Sequence, residues 1–284
     1  MVNQKTVFYI GGVTFSLDRL PDGWDPLLGY LQTAKTHRKP MLEIQIEKGH
    51  PPEGEFRIPL CRKDSEMALY EDAGRRGIEC LNGSFPRFTV LLQKNLPRGT
   101  VYLNGESHHG FVGLPLFKCF IYHLLLPDRG FFMHAAGIED SGKGLLFVGP
   151  KGAGKSTLSE IFLRAGSTVL SDELTIVRKF KKHFWIFGSP WTSTCPCFSL
   201  KGVPLRAIFL LRHGLQNKVK RIKGKELFKR FAGEIFLPPW PSEQLPVLTS
   251  LPFDILSQVP SYLLSFTPTP EVVPFIRQAL RKNT

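Results

Sequence analysis

Gly149-Pro150-Lys151-Gly152-Ala153-Gly154-Lys155-Ser156, with Thr157 behind it, is the stretch on which the reading of the chain turns. It fits G-x-x-x-x-G-K-[ST], the phosphate-binding loop. The flanks fit as well. Leu145-Leu146-Phe147-Val148 is an apolar run of the length of a buried strand, and Leu158, Ile161, Phe162 and Ala165 recur at helical spacing up to Gly166. Glycines let backbone N–H groups close around phosphate oxygens, and the helix N-terminus adds partial positive charge. The nine residues from Gly149 to Thr157 are therefore the expected cradle for a nucleoside triphosphate. Lys155 is the expected contact to the outer phosphates, and the Ser156 hydroxyl the expected Mg²⁺ ligand.

Outward from the loop, Phe131 to Ile138 reads as a strand and Glu139 to Gly144 as a turn, so a hairpin delivers the chain into the loop. Beyond the helix come strands at Ser167–Leu170, Leu174–Val177, Trp185–Phe187 and Arg206–Leu211, with a Pro-, Ser- and Thr-rich loop from Gly188 to Cys197. Residues up to about Asn104 alternate short β-prone runs (Val7–Ile10, Met41–Ile46, Arg57–Leu60, Gly77–Leu81, Phe88–Leu92, Val101–Leu103) with turn residues. A helix is expected over Gly110–Leu126, and a closing helix over Glu271–Leu280. The tail between reads as Pro-rich turns and apolar helical patches. These elements predict an α/β protein in two parts: a β-rich domain over 1–105 and a phosphate-loop domain with a mixed sheet over 106–284.

The composition, 42% hydrophobic and 21% charged, is that of an ordinary globular protein. No signal peptide is visible. The longest apolar run, Phe111 to Leu126, is broken by Gly113, Pro115, Lys118 and His123, which argues against a membrane span and for a cytoplasmic protein. The five cysteines suggest no disulfide framework and no zinc site, Cys195-Pro196-Cys197 included, and His108-His109 read as loop residues. The net charge is +13, and between Lys201 and Arg230 ten Lys and Arg face a single acid, Glu226. That run reads as a solvated segment leading into a helix near Leu227-Phe228, or as a docking surface for an anionic partner. It has no aromatic interleaving, so nucleic acid is not the expected partner.

Phosphoryl transfer requires more than a cradle: Mg²⁺, a cation, and a group that positions or deprotonates the nucleophile. Asp172, at the end of the strand after the phosphate-loop helix, is the candidate acid, with Glu173 beside it. Side chains alternate along extended backbone, so one of the two is expected to enter the site. His134, in the apolar hairpin strand, reads by itself as a core histidine. Arg206 and Arg212 are candidates for the extra cation.

The run from Met133 to Val177, MHAAGIEDSGKGLLFVGPKGAGKSTLSEIFLRAGSTVLSDELTIV, resembles the catalytic core of the HPr kinase/phosphorylase family. A histidine strand, a hairpin, a phosphate loop and an acidic turn follow in the order and near the spacing of that family, whose core is similar in fold to phosphoenolpyruvate carboxykinase. Gly188-Ser189-Pro190-Trp191 resembles a loop of its divergent branch, which includes lasso-peptide precursor kinases, while the Glu-Arg-Gly segment of typical members has no clear counterpart. The resemblance implies an ATP- and Mg²⁺-dependent kinase acting on a serine-type hydroxyl of a peptide or small protein. It implies Asp172 as the base, His134 and Lys155 as catalytic residues, and Ser156, Asp172 and Glu173 on the metal side. A homo-oligomer is also implied, since typical members form hexamers. Two other readings stay open at this point: a kinase of a free amino acid, and a non-catalytic nucleotide sensor or nucleic-acid-binding protein.

Overall fold

The computed structural model describes residues 5–20, 39–52, 61–63, 67–72, 74–80, 87–104, 113–125, 130–195, 197–238, 240 and 249–282. The expected strand Arg57–Leu60 and the pair His108-His109 lie outside the described residues. Those residues form a mixed α/β protein with two mixed sheets and five helices, in two compact units.

The first unit comprises Met1–Leu124 with Pro239–Pro241. Eight strands are described there: β1 (Thr6–Ile10), β2 (Val13–Leu17), β3 (Leu42–Lys48), β4 (Cys61–Lys63), β5 (Met67–Glu71), β6 (Arg75–Cys80), β7 (Arg87–Gln93) and β8 (Arg98–Asn104). They make one sheet in the order β1-β2-β3-β8-β7-β6-β5-β4. Helix α1 (Gly113–Leu125) groups with this sheet up to Leu124, whereas the sequence suggested a boundary at 105/106. The reason is aromatic packing: Phe117 lies 5.1 Å from Phe8 and 4.9 Å from Phe15, and Phe120 lies 5.6 Å from Phe15.

The second unit, Leu125–Pro238 with Ser242–Thr284, holds the phosphate-loop motif. Its strands are β9 (Gly130–Asp140), β10 (Lys143–Val148), β11 (Thr168–Ser171), β12 (Leu174–Phe180), β13 (His183–Phe187), β14 (Gly202–His213), β15 (Lys218–Arg221), β16 (Ile235–Phe236) and β17 (Ser261–Phe266). Ser141 and Gly142, both at positive φ, close the β9–β10 hairpin as a two-residue turn. Strands β10, β14 and β17 run parallel. β14 pairs with β13 over its first residues and with β10 over Leu205–Leu210, so the path β10-β9-β12-β13-β14 returns to β10.

Both faces of β10 are buried, and this is why its sequence is a continuous apolar run. Alternate side chains serve different cores. Leu146 and Val148 pack with Leu227 and Phe231 of α3 (Lys225–Ala232) and with Leu251 and Ile255 of α4 (Ser250–Gln258). Leu145 and Phe147 pack with Leu158 and Phe162 of α2 (Lys155–Arg164) and with Val272, Val273 and Ile276 of α5 (Val272–Lys282). Helices thus cover both faces of the sheet, the layered solution for parallel strands.

Two readings of the sequence change. Lys218–Arg221 is an edge strand rather than a solvated loop, antiparallel to β17, and the basic helix α3 buries Leu227 and Phe231 while keeping its cations outside. Ser261–Phe266 is a parallel strand rather than a helical patch; a short apolar run does not reveal its period. No helix among the described residues is long and apolar enough to cross a membrane.

In α1 the His123 imidazole is largely enclosed, and burial, with the Arg76 cation adding to it, pushes its pKa down to about 4. The unfolded chain then binds the extra proton from about pH 6.5 downward, while the folded chain resists it. Stability is therefore full above about pH 6.5 and falls as pH drops toward 4, by up to about 3 kcal/mol from this group. Thermal unfolding at pH 7.5, 5.5 and 4.5 should show a smaller acid loss in His123→Asn than in the wild type.

Candidate active site

Between Val148 and α2 the chain turns through two glycines at positive φ, Gly152 (83°) and Gly154 (94°). A Cβ on Gly152 would meet nothing within 4 Å, so the loop is open there, whereas one on Gly154 would lie 2.7 Å from the Phe266 ring. Gly154 is the N-cap of α2 and offers no side-chain acceptor to the helix N–H groups. Open loop and uncapped helix start make an anion cradle. Ser156 is half-buried, while Pro150, Lys151 and Thr157 are exposed.

Lys155 opens α2 and is buried at 6% exposure. Its Nζ donates to the carbonyl oxygens of Gly149 (2.7 Å) and Pro150 (3.2 Å). Burial holds its pKa below the ordinary lysine value, opposed by the negative charges of Glu234, Glu173 and Asp172. The ammonium is thus parked on its own loop and faces three carboxylates.

His134 sits where β9 changes partners. Its backbone N–H donates to the Glu234 carbonyl (2.8 Å), and the next N–H, of Ala135, donates to the Glu173 carbonyl (3.1 Å). The side chains repeat the arrangement: Nδ1 lies 2.8 Å from Glu234 Oε2 and Nε2 lies 3.2 Å from Glu173 Oε1. Only an imidazolium can donate to both carboxylates at once. The Glu173 side chain is 38% exposed and that of Glu234 17%. A cleft of about 330 Å³ joins Glu234 to Gly149 and Pro150 and is lined also by Glu226, Lys229 and Arg230. Arg230 is held by a hydrogen bond from its guanidinium to the Leu211 carbonyl (3.0 Å).

Asp172 has no exposed surface. Its Oδ1 accepts from the Ser193 N–H (2.8 Å) and its Oδ2 from the Cys195 N–H (3.1 Å). The same turn grips the loop again through Ser171 Oγ, which donates to the Trp191 carbonyl (3.2 Å), and the Ser189 hydroxyl donates to the Leu174 carbonyl. The structure therefore separates the adjacent acids: Glu173 faces His134, and Asp172 is clamped to the loop after β13. Of the cations suggested by sequence, Arg212 lines a different surface cleft, whereas Lys229 and Arg230 line the cleft beside Gly149.

Glu234 was not expected from the sequence. It lies a hundred residues from the histidine it touches. Its one local signal is an acid immediately after Gly233 at the end of a basic helix.

Among the described residues no three His, Cys, Asp or Glu side chains are arranged to hold a metal by protein ligands alone. Mg²⁺ does not need such a cage, since it keeps waters and binds through one or two carboxylates and the substrate's phosphates. The half-buried Ser156, the partly exposed Glu173 and Glu234 and the open glycine loop fit that mode.

No protein-family model matches the chain, and no curated protein sequence does. Among solved structures, the chain has a weak match to the HPr(Ser) kinase/phosphatase from Coxiella burnetii, with 12% identity and a TM-score of 0.32 over 54% of this chain and 94% of that one. A superposition that loose identifies no shared site, and the functional reading rests on the geometry above.

Asn at position 172 would turn an NH₂ toward one of the two backbone donors and leave it unpaired. Asp172→Asn should cost about 1.5–3 kcal/mol, the range for a hydrogen bond to a charged group. Urea unfolding followed by Trp fluorescence measures it; an unchanged midpoint would mean that the clamp contributes nothing.

Proposed function

We propose that the chain is an ATP-dependent kinase that transfers the γ-phosphoryl group to a serine-type hydroxyl of a peptide or small protein. The observation that carries this reading is the convergence of the glycine loop, the buried Lys155 and the His134–Glu173–Glu234 cluster where the end of β10 meets the middle of β9. The resemblance of residues 133–177 to the HPr kinase family supports the same chemistry.

In this reading the N–H groups of Gly149–Thr157 bind the phosphates, and Lys155 leaves the Gly149 and Pro150 carbonyls for phosphate oxygens. Ser156 and Glu234 would hold Mg²⁺, which would supply positive charge against the phosphate oxygens. Asp172 was the expected base. With both oxygens accepting backbone N–H groups and no accessible surface, it is out of reach of an incoming hydroxyl in this conformation. The accessible proton acceptor is Glu173, and His134, held from the other side by Glu234, orients it. Asp172 keeps the 188–195 loop in place. Lys229 and Arg230, on the lip of the cleft, suit an acceptor peptide with acidic residues near its serine. Phosphoryl transfer of this kind depends on positioning and electrostatics rather than on covalent participation by the protein.

The deciding experiment is ATP consumption with Mg²⁺ in the presence of serine-containing acidic peptides, of free serine, or of neither, with phosphopeptide detected by mass spectrometry. Peptide-dependent turnover is expected, falling about 10²–10⁴-fold in Glu173→Gln, the usual range for a lost general base. Lys155→Met should lose transfer altogether. ATP binding without transfer to any acceptor would overturn the kinase reading, and transfer to free serine alone would overturn the peptide substrate.

A further inference from the structure

Strands β10, β14 and β17 are parallel, so their C-terminal ends open on one side of the sheet, the side at which such sheets bind ligands. The end of β10 becomes the glycine loop. The ends of β14 and β17, in register at His213 and Phe266, form the far wall of a second cleft of about 560 Å³. Gly152, Gly154 and Thr157 line its near wall, and His213, Leu215, Phe266 and Pro268 line the far one. It takes the half of the loop that the cleft beside Glu234 does not use.

Apart from His213 the far wall is apolar, and it is fixed. Leu215 is 95% exposed, although full burial of such a side chain is worth about 1.5–3 kcal/mol. It is not the tip of a loose loop. Asn217 Oδ1 accepts from the backbone N–H (2.9 Å) and hydroxyl (3.3 Å) of Thr267, and Ser265 Oγ donates to the Gln216 carbonyl (3.2 Å). A Cβ on Gly214 would fall 1.7 Å from Ser265 Oγ, so the turn packs on β17 as closely as backbone allows. Phe266 closes the floor against Gly154. A leucine held out in water at the lip of a cleft, beside a phosphate cradle, suits a flat apolar ligand attached to phosphates.

We propose that this cleft is the nucleobase subsite: a purine ring lies between Leu215 and the Phe266–Pro268 wall, with the sugar passing Thr157 toward the loop. The proposal rests on the triphosphate reading of Gly149–Ser156. It adds a prediction about selectivity. The lining contains no carboxylate, so guanine's N1–H and amino group find no acidic acceptor, and the ring is held by apolar contact rather than by its hydrogen-bonding edge. ATP and GTP therefore bind with similar affinity.

Calorimetric titration of the full chain with Mg²⁺ and ATP, GTP or inorganic tripolyphosphate tests this, with Leu215→Ser as the variant, since an exposed turn residue does not threaten the fold. ATP and GTP should bind within about tenfold of each other and at least tenfold more tightly than tripolyphosphate. In Leu215→Ser most of that advantage should vanish while tripolyphosphate binding stays the same. Equal binding of ATP and tripolyphosphate by the wild type, or an advantage untouched by Leu215→Ser, would overturn the subsite and leave the phosphate loop standing. Strong preference for one purine would overturn the apolar mode of recognition. If neither triphosphate binds, the loop reading itself fails, and the subsite with it.

Discussion

Two backbone hydrogen bonds, from His134 N–H to Glu234 and from Ala135 N–H to Glu173, fix the second unit's chemistry. They lie at the point where β9 passes from β12 and β16 to β10. β12 pairs with Gly130–His134 and β10 with Ala135–Asp140, so neither ladder continues past this point. A one-residue slip of β9 would exchange its faces, sending Phe131, Met133 and Ala135 out of one core and Ala136 and Ile138 out of the other. Apolar burial on both faces therefore sets the register. The register in turn places the His134 side chain against two glutamates whose backbone carbonyls the His134 and Ala135 N–H groups already hold. No separate device is needed to assemble the cluster.

The same logic shows how much of this was legible in the sequence. The hairpin, the strand before the glycine loop and the helix after it were readable because each has a local signature: turn residues, an apolar run and helical spacing. Glu173 and Asp172 were readable as a pair, and the alternation of side chains along extended backbone gave the expectation that one enters the site. Which one enters depends on Ser193 and Cys195, whose N–H groups claim Asp172 from more than twenty residues away. Glu234 was hidden for a similar reason. It is brought to His134 by the two-residue strand β16, which pairs with β9 at Met133 and Phe132 and is too short to leave a periodic pattern. β17 was misread because a six-residue segment, SYLLSF, is too short to show a distinguishable period, and with it went the wall of the second cleft.

Charge in this protein is arranged against its own average. The chain carries +13, yet Lys155 is faced by Glu234, Glu173 and Asp172. An acidic centre repels a triphosphate that arrives without a counter-ion: two unit charges 4 Å apart interact by about 1 kcal/mol in water and about 4 kcal/mol at the effective dielectric of a protein surface. In the proposed function Glu173 and Glu234 would serve such a ligand only together with a divalent cation, which would make nucleotide and metal binding interdependent. Part of the positive surplus lies on α3, where Lys229 and Arg230 border the cleft, and on β15, where Lys218, Lys220 and Arg221 are exposed. A basic rim raises the local concentration of anionic ligands.

Lys155 shows what the loop must give up when it is filled. Its ammonium has two carbonyl acceptors within its own loop, at 2.7 and 3.2 Å, and is nearly enclosed. Those carbonyls exist because the loop turns tightly at Gly149 and Pro150, so the geometry that makes the cradle also supplies the lysine with a resting partner. A buried ammonium with no acceptor would be costly to keep, and a lysine left free in the open loop would sample many rotamers, each to be lost on binding. Parked on neutral carbonyls, the side chain lies beside the loop, where in the proposed function phosphate oxygens would replace those acceptors. The negative charge of Glu234, Glu173 and Asp172 favours the charged form of the lysine against its desolvation. The acids around the glycine loop thus serve the lysine before any metal or nucleotide is present, and their position follows from the register of β9.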